Sequence, residues 1–350
     1  MKVKAFFIIV CLSLLTNGLV VAQTQTDKQV AVYSLGFYNL ENLFDTIPSP
    51  GVNDVEFTPD GVKAWNGQKY WKKIGNMSYA ISKLAREFCP EGPAILGVCE
   101  IENRTVLEDL AKAPLLRQAN YQIVHYDSPE LRGVDVALLY NPKLFTLTSS
   151  RPYRFTLPNR PDWKSRDQLL VSGLLAGEPI HVIVCHWPSR RNGEKQSRPL
   201  RVEAAKLSKH IIDSLHKADP YAKIVLMGDL NDDPDNIPLK KTLNAKMKPE
   251  EVKPQGLFNP MWRLLDKGIG SLGYRGEWNL FDQIILSYAW LGNDRSTLKY
   301  WKPEVFNKDF LIQQEGTYKG YPWRTFSGNL FIEGYSDHFP TLVYVVKEVR

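Results

Sequence analysis

Apolar residues recur at two spacings along the chain. Alternation over Val30–Phe37 and the apolar character of Val134–Tyr140 and Gln168–Leu175 predict strands. Short apolar runs at Ala94–Cys99, His181–Cys185, Lys223–Met227, Trp278–Leu286 and Phe339–Val346 predict further, buried strands. Helical spacing over Gln68–Phe88 sets Trp71, Ile74, Met77, Ile81 and Leu84 on one side, and Pro199–His216 reads as a second amphipathic helix. Asn103 is placed to cap a third helix over Arg104–Lys112. Strands interspersed with helices predict an α/β or α+β fold. No internal repeat is visible, and the Pro/Gly-rich stretches Pro48–Gly61, Pro158–Pro161 and Pro254–Pro260 read as surface loops rather than domain linkers.

The first residues follow a different rule. Lys2 and Lys4 precede an apolar run from Ala5 to Leu15, shorter than the ~20 residues that span a bilayer. Val20 and Ala22 then form a small-residue site before Gln23, so residues 1–22 read as a secretory signal peptide. The expectation is export to the periplasm or the extracellular space, with one domain over residues 23–350 and no stable membrane insertion. Losing residues 1–22 removes two lysines and lowers the formal charge from +6 to +4, which suits an anionic substrate without requiring one. Of the four cysteines, Cys89, Cys99 and Cys185 then remain, none in a C-x-x-C pair. That argues against a thiolate metal cage and against a disulfide framework, and favours buried free thiols with one disulfide left open.

Polar residues sit where they are expensive. Apolar strands run into, or carry, Asn39, Glu100, His186, Asp229 with Asn231, and Asp282, and Asp337-His338 sits just before the last strand. An unpaired carboxylate near a packed core costs several kcal/mol, so several that converge share a purpose. Carboxylates and amides without a cysteine cluster suit a hard divalent cation such as Mg²⁺ or Mn²⁺, with Ca²⁺ as a further choice.

Phe37-Tyr38-Asn39, Gly97-Val98-Cys99-Glu100, Cys185-His186-Trp187-Pro188, Gly228-Asp229-Leu230-Asn231, Trp278-Asn279-Leu280-Phe281-Asp282 and Ser336-Asp337-His338 occur in that order. The ordered set resembles the endonuclease/exonuclease/phosphatase superfamily over about Val30–Val346. The resemblance implies a four-layer sandwich, two facing mixed β-sheets flanked by helices, with a site at their upper rim. It implies that Glu100 binds the cation, with Asn39 and Asp337 serving the metal site. Asp229 would orient or deprotonate the attacking water and Asn231 would bond the phosphate. His186 and His338 would contact the phosphate, with Asp282 paired to His338. Asp135 is the candidate partner for His186, since a histidine of this kind needs a carboxylate to set its tautomer.

Two residues after Glu100, deoxyribonuclease I and its near relatives place an arginine, and here the position is Glu102. That acid reads as a second ion ligand, an arginine partner or first-turn helix charge. Substrate contacts are expected from Arg132, from Arg190 and Arg191 on the basic stretch Ser189–Arg201, and from Arg324 and Trp278 among aromatics that crowd the last motifs. The expected function is a monomeric, metal-dependent phosphodiesterase acting on a phosphate ester, with nucleic acid favoured. A phosphatase or lipid or inositol phosphodiesterase is the alternative within the class, and a non-catalytic binding protein the alternative outside it.

Overall fold

The computed structural model describes residues 29–349; the segment read as a signal peptide lies outside them. The chain opens with β1 (Val30–Leu43), α1 (Gly67–Lys83), β2 (Ile95–Ile101), α2 (Arg104–Lys112), β3 (Gln122–His125) and β4 (Asp135–Tyr140). It continues with β5 (Phe145–Tyr153), β6 (Gln168–Leu175), β7 (Glu178–His186), α3 (Glu194–Ala218), β8 (Lys223–Asp229), β9 (Leu257–Phe258) and the single turn α4 (Trp262–Leu265). The last part holds a hairpin of β10 (Leu272–Tyr274) and β11 (Glu277–Asn279), then β12 (Asp282–Ser287) and β13 (Lys299–Val305). A second hairpin of β14 (Phe326–Ser327) and β15 (Leu330–Phe331) precedes β16 (Thr341–Glu348).

Two six-stranded sheets, ordered β13-β16-β1-β2-β4-β3 and β5-β6-β7-β8-β12-β9, lie face to face. The main apolar core fills the space between them and continues under α1 and α2. A second cluster on the outer face of the second sheet joins Ile183, Cys185, Ile224 and Leu226 to Ala204, Ala205, Ile211 and Ile212 of α3. The sandwich is therefore helix, sheet, sheet, helix. The sheets approach so closely at Gly97 that a Cβ there would lie 2.6 Å from the Met227 sulfur, so a larger residue would have to displace that side chain.

The pairing explains where chemistry collects. Each sheet holds one central parallel pair, β1 with β2 and β7 with β8, while its other pairs run antiparallel. Parallel neighbours end at the same rim, and open α/β sheets collect ligands there. β1 and β2 end around Asn39 and Glu100, and β7 and β8 end with His186 opposite Asp229. The antiparallel β12 starts beside them, with Asp282 opposite Asp229.

Several elements differ from expectation. Trp278–Leu286 is two strands, broken at Leu280-Phe281, which lets β11 turn back onto β10. β5 and β13 are unpredicted because both are edge strands: β5 is mostly exposed, and β13 carries Pro303, which edges tolerate. Trp71 is 56% exposed and packs edge-on against Tyr70, while Ile74, Met77 and Ile81 enter the core as expected. α3 begins at Glu194 with Pro199 inside it, so half of the expected basic loop is helix. Asn103 caps α2 by accepting from the Val106 amide, and Cys89, Cys99 and Cys185 are buried free thiols.

Candidate active site

The site is assembled from strand ends that are locally distorted. Register slips between Cys99 and Ile101 leave Glu100 as a bulge residue with φ of 58°. A bulge re-aims a side chain that regular pleating would direct elsewhere. The end of β1 slips likewise between Asn39 and Leu43, with Glu41 and Asn42 at positive φ. Ser336 bonds the Asn39 carbonyl at 2.7 Å and accepts from the His338 amide at 3.2 Å, which seats the Ser336–His338 turn on β1.

Asp229 is the centre of the cluster. Its Oδ2 accepts from Asn39 Nδ2 at 3.1 Å and lies 3.7 Å from His186 Nε2 and 4.0 Å from His338 Nε2. Its Oδ1 accepts from the Asn231 amide at 3.0 Å. Asn39 Nδ2 also donates to Glu100 Oε1 at 3.3 Å, the Asn42 amide donates to Glu100 Oε2 at 3.0 Å, and His186 Nε2 lies 3.9 Å from Glu100. His338 Nδ1 meets Asp282 Oδ2 at 2.6 Å, and Ser271 Oγ donates to the same carboxylate at 2.5 Å. Asp282 thus holds the His338 ring with its Nε2 toward Asp229.

Burial sets the charges. Burial, with Asp282 and Glu100 adding, pushes the Asp229 carboxyl well above its usual range, against the pull of His338. Burial alone would lower His338, but Asp282, Asp229 and Asp337 hold it well above 6.5. Burial and the nearby Arg166, Arg132 and His338 push His186 well below 6.5. The two histidines are therefore pushed in opposite directions, His338 toward its protonated form and His186 toward the neutral imidazole.

These donors suit a divalent cation. One oxygen or nitrogen each from Glu100, His186 and Asp229 lies within 4.8 Å of the others, and the same holds for Asp229, Asp282 and His338. Carboxylate and imidazole are hard-to-intermediate ligands, and a cation among Glu100, His186 and Asp229 would relieve the crowding of the two carboxylates. Asn39 is arranged differently from the expected ligand. Its Oδ1 accepts from the Glu41 amide at 2.9 Å, so it turns its amide nitrogen, not an oxygen, toward the carboxylates. Asp337 lies at the edge of the cluster, partly exposed, 3.9 Å from His338 Nε2 and 3.5 Å from Arg324.

Other expected residues are elsewhere. Asp135 does not reach His186: it pairs with His125 Nε2 at 3.1 Å and accepts from Ser128, because β4 starts one strand away from the rim centre. His186 Nδ1 is buried without a hydrogen-bond partner. Arg190 faces the Asn231 turn instead of the cleft. It donates to the Asn231 carbonyl at 2.9 Å, to Asp232, Asp233 and Asn236, and stacks over Phe281. Asn231 itself, at φ of 50°, gives its amide to the Trp187 carbonyl at 3.1 Å. Trp278 packs against Phe339 and Tyr321, and Arg324 is held by Asp337 and the Tyr318 ring. Arg132 and Arg191 are exposed and line the cleft. Glu102 accepts from the Asp45 amide and Ser49 Oγ and so ties down the loop after β1.

The cleft has a volume of about 1370 Å³ and runs from Glu100, Asp229 and His338 past Arg166. Sequence reading missed Arg166. Its guanidinium is buried, donates to the His186 and Trp187 carbonyls at 3.2 and 2.8 Å, and lies 3.7 Å from Glu130. The signal was available: Ser165-Arg166-Asp167 stands directly before a buried strand, the mirror of the strand-end rule.

Residues 34–347 match the Endonuclease/Exonuclease/phosphatase family. The chain belongs to this family. No curated protein sequence matches it. Among solved structures, it resembles an endonuclease/exonuclease/phosphatase family protein from Bacteroides thetaiotaomicron at 15% identity, covering 92% of this chain and 97% of that one, with a TM-score of 0.54. A mannosyl-6-phosphatase from the same organism is similar at 14% identity, 89% and 99% coverage and a TM-score of 0.53. D. rerio TDP2 complexed with a single-strand DNA product is similar at 15% identity, 90% and 98% coverage and a TM-score of 0.52. At these identities the likeness shows the fold. Family membership makes the chain a divalent-metal-dependent hydrolase of phosphate ester bonds, and the acidic groups at the rim are placed to hold the metal.

Proposed function

We propose that this family member is an exported phosphodiesterase that cleaves nucleic acid with Mg²⁺. The observation that carries the reading is the union of the Asp229-centred cluster with a large cleft bearing Arg132, Arg166 and Arg191. Glu100, with His186 and Asp229 beside it, would hold the cation, and Asp337, 3.9 Å from His338 Nε2, would serve it from the rim. When bound, that cation supplies charge neutralisation at the phosphoryl oxygens.

The chain's own residues supply the rest. Asp229 accepts a proton from, and orients, the attacking water; the Asn231 amide and the Asn39 side chain fix its carboxylate in one rotamer. His338, kept protonated by Asp282, stabilises the developing negative charge and offers its Nε2 proton to the leaving oxygen. His186, kept neutral by its surroundings, supports the phosphate from the opposite strand pair. Arg132, Arg166 and Arg191 attract and align the substrate backbone.

The test incubates the purified protein with Mg²⁺, or with EDTA, on plasmid DNA, a small phosphodiester and a phosphomonoester. EDTA-sensitive nicking of the plasmid is expected. Cleavage of the monoester alone moves the function to a phosphatase, and cleavage of the small diester alone removes the polynucleotide from the reading.

A further inference from the structure

Pro158–Pro161 reads in the sequence as a surface loop, yet it belongs to a longer Pro158–Arg166 loop in which Asn159 to Arg166 contribute eight consecutive residues to the wall of the active-site cleft. Pockets for small ligands are about 300–1,000 Å³, so a cleft of about 1370 Å³ has room beyond one reacting group. The cations in it are distributed to one side. Arg160 and Lys164 come from this loop, against its one acid Asp162, and Arg191 comes from the segment before α3. Lys164 and Arg191 have no ion-pair partner among the described residues, whereas Arg166 and Arg132 share Glu130. On the other side of the cluster, Arg324 is held by Asp337 and Tyr318, and Trp278 is stacked into the fold. The field that an anionic chain meets is therefore directional, leading from Asp229 past Arg166 toward this loop.

The loop also carries a platform. The Arg160 guanidinium lies 4.4 Å from the centre of the Trp163 ring, and the Trp163 indole packs against the cluster under α3. Arg160 itself is exposed. A planar guanidinium backed by an aromatic ring offers its free face to a second π-system, and an unstacked base is such a system. A base inside a duplex has both faces covered and cannot use it.

We infer that the Pro158–Arg166 loop, with Arg191, is a subsite for the single-stranded nucleic acid chain on one side of the scissile phosphate: Lys164 and Arg191 take backbone phosphates and the Arg160–Trp163 stack takes a base. This rests on the phosphodiesterase reading and names which strand form that site takes and on which side it lies. It predicts tighter binding of a single strand than of the same sequence as duplex.

The test measures fluorescence anisotropy of a labelled single-stranded DNA 12-mer in EDTA, where cleavage is blocked, across a salt series. For two single-strand phosphate contacts the slope of log K against log salt is about −1.4. Arg160→Ala with Lys164→Ala and Arg191→Ala is expected to weaken binding at least tenfold and to remove most of that slope. Circular dichroism and the melting temperature of the same variant should match wild type, which shows that it is folded. Arg160→Lys should keep the slope and lose part of the affinity, separating stacking from charge. Unchanged affinity and slope in the triple variant, or equal binding of duplex and single strand, overturns the subsite. The two readings fail separately. Loss of binding in the variant with no cleavage of any polynucleotide keeps the subsite and sinks the nuclease; cleavage by wild type with an unchanged KM in the variant does the reverse.

Discussion

Lys73 of α1 and Glu41 at the distorted end of β1 bury opposite charges 3.9 Å apart, directly behind the active-site rim. Lys73 Nζ donates to Thr325 Oγ1 and the Tyr335 carbonyl, both at 2.5 Å, and Glu41 Oε2 accepts from the Thr325 amide at 2.6 Å. Helix, strand and the segment leading to His338 are thus locked at one point. Burial pushes the Glu41 carboxyl up and the Lys73 amine down, each opposed by the other's charge. Breaking a buried pair strands one charge, at a cost of about 3–5 kcal/mol. Lys73→Met should lower stability by about that much at pH 8 and by less at pH 5, where Glu41 takes up a proton. The double variant Lys73→Met with Glu41→Gln should recover most of the loss. Urea unfolding at the two pH values measures this, and an equal loss at both removes the pair from the account.

Asp282→Asn keeps the shape around His338 but takes away its negative partner. Because Asp282 is what raises His338 against burial, the imidazole pKa should fall, read by NMR of the ring protons. Loss of a carboxylate that orients a catalytic histidine costs ~10²-fold or more in kcat. KM should change little, since Asp282 is fully buried and touches no substrate. A changed KM with an unchanged kcat would assign Asp282 to binding instead.

Arg190 and its neighbour should behave as opposites. Arg190→Ala removes the bond to the Asn231 carbonyl and leaves Asp232 and Asp233 with one partner fewer. The expected result is a stability loss of about 1–3 kcal/mol with a lower kcat, as Asn231 shifts. Arg191→Ala, in the cleft wall, should leave stability intact and weaken binding of an oligonucleotide. Thermal unfolding beside steady-state kinetics separates the two.

Glu102 provides a pH test away from the chemistry. Burial, opposed by Ser49 and the Asp45 amide, moves its carboxyl from the ordinary 4.5 to about 7. A raised carboxyl pKa means that the folded protein holds a proton the unfolded chain has released. Its contribution is therefore most favourable below about 4.5 and is lost as pH rises to about 7. Glu102→Gln mimics the protonated form. Its melting temperature relative to wild type should be higher at pH 8 than at pH 5, and a constant difference between the two would refute the shift.

Local pattern carries far in this molecule and then stops. Gln168–Leu175 is a strand with the predicted bounds, and Asn39, Glu100, His186, Asp229, Asp282 and His338 stand out as polar residues at apolar strand ends. Burial penalties make that contrast visible in one dimension, because only a shared site offsets several charged groups at a core edge. The ordered motifs likewise point to the family and to phosphate ester hydrolysis. Partnership is not visible there. Asp135 lies on the neighbouring strand pair and takes His125, Arg190 turns back onto Asn231, and Asn39 presents nitrogen because the Glu41 amide claims its oxygen. The buried brace of Lys73 with Glu41 and the place of Arg166 under His186 join residues from separate elements. Residue type and spacing determine that such groups converge, since they follow from solvation and from the geometry of each strand. Which atom meets which is decided by sheet register, bulges at Glu100 and Glu41, and the packing of helices on the sandwich, all of which depend on contacts between distant segments.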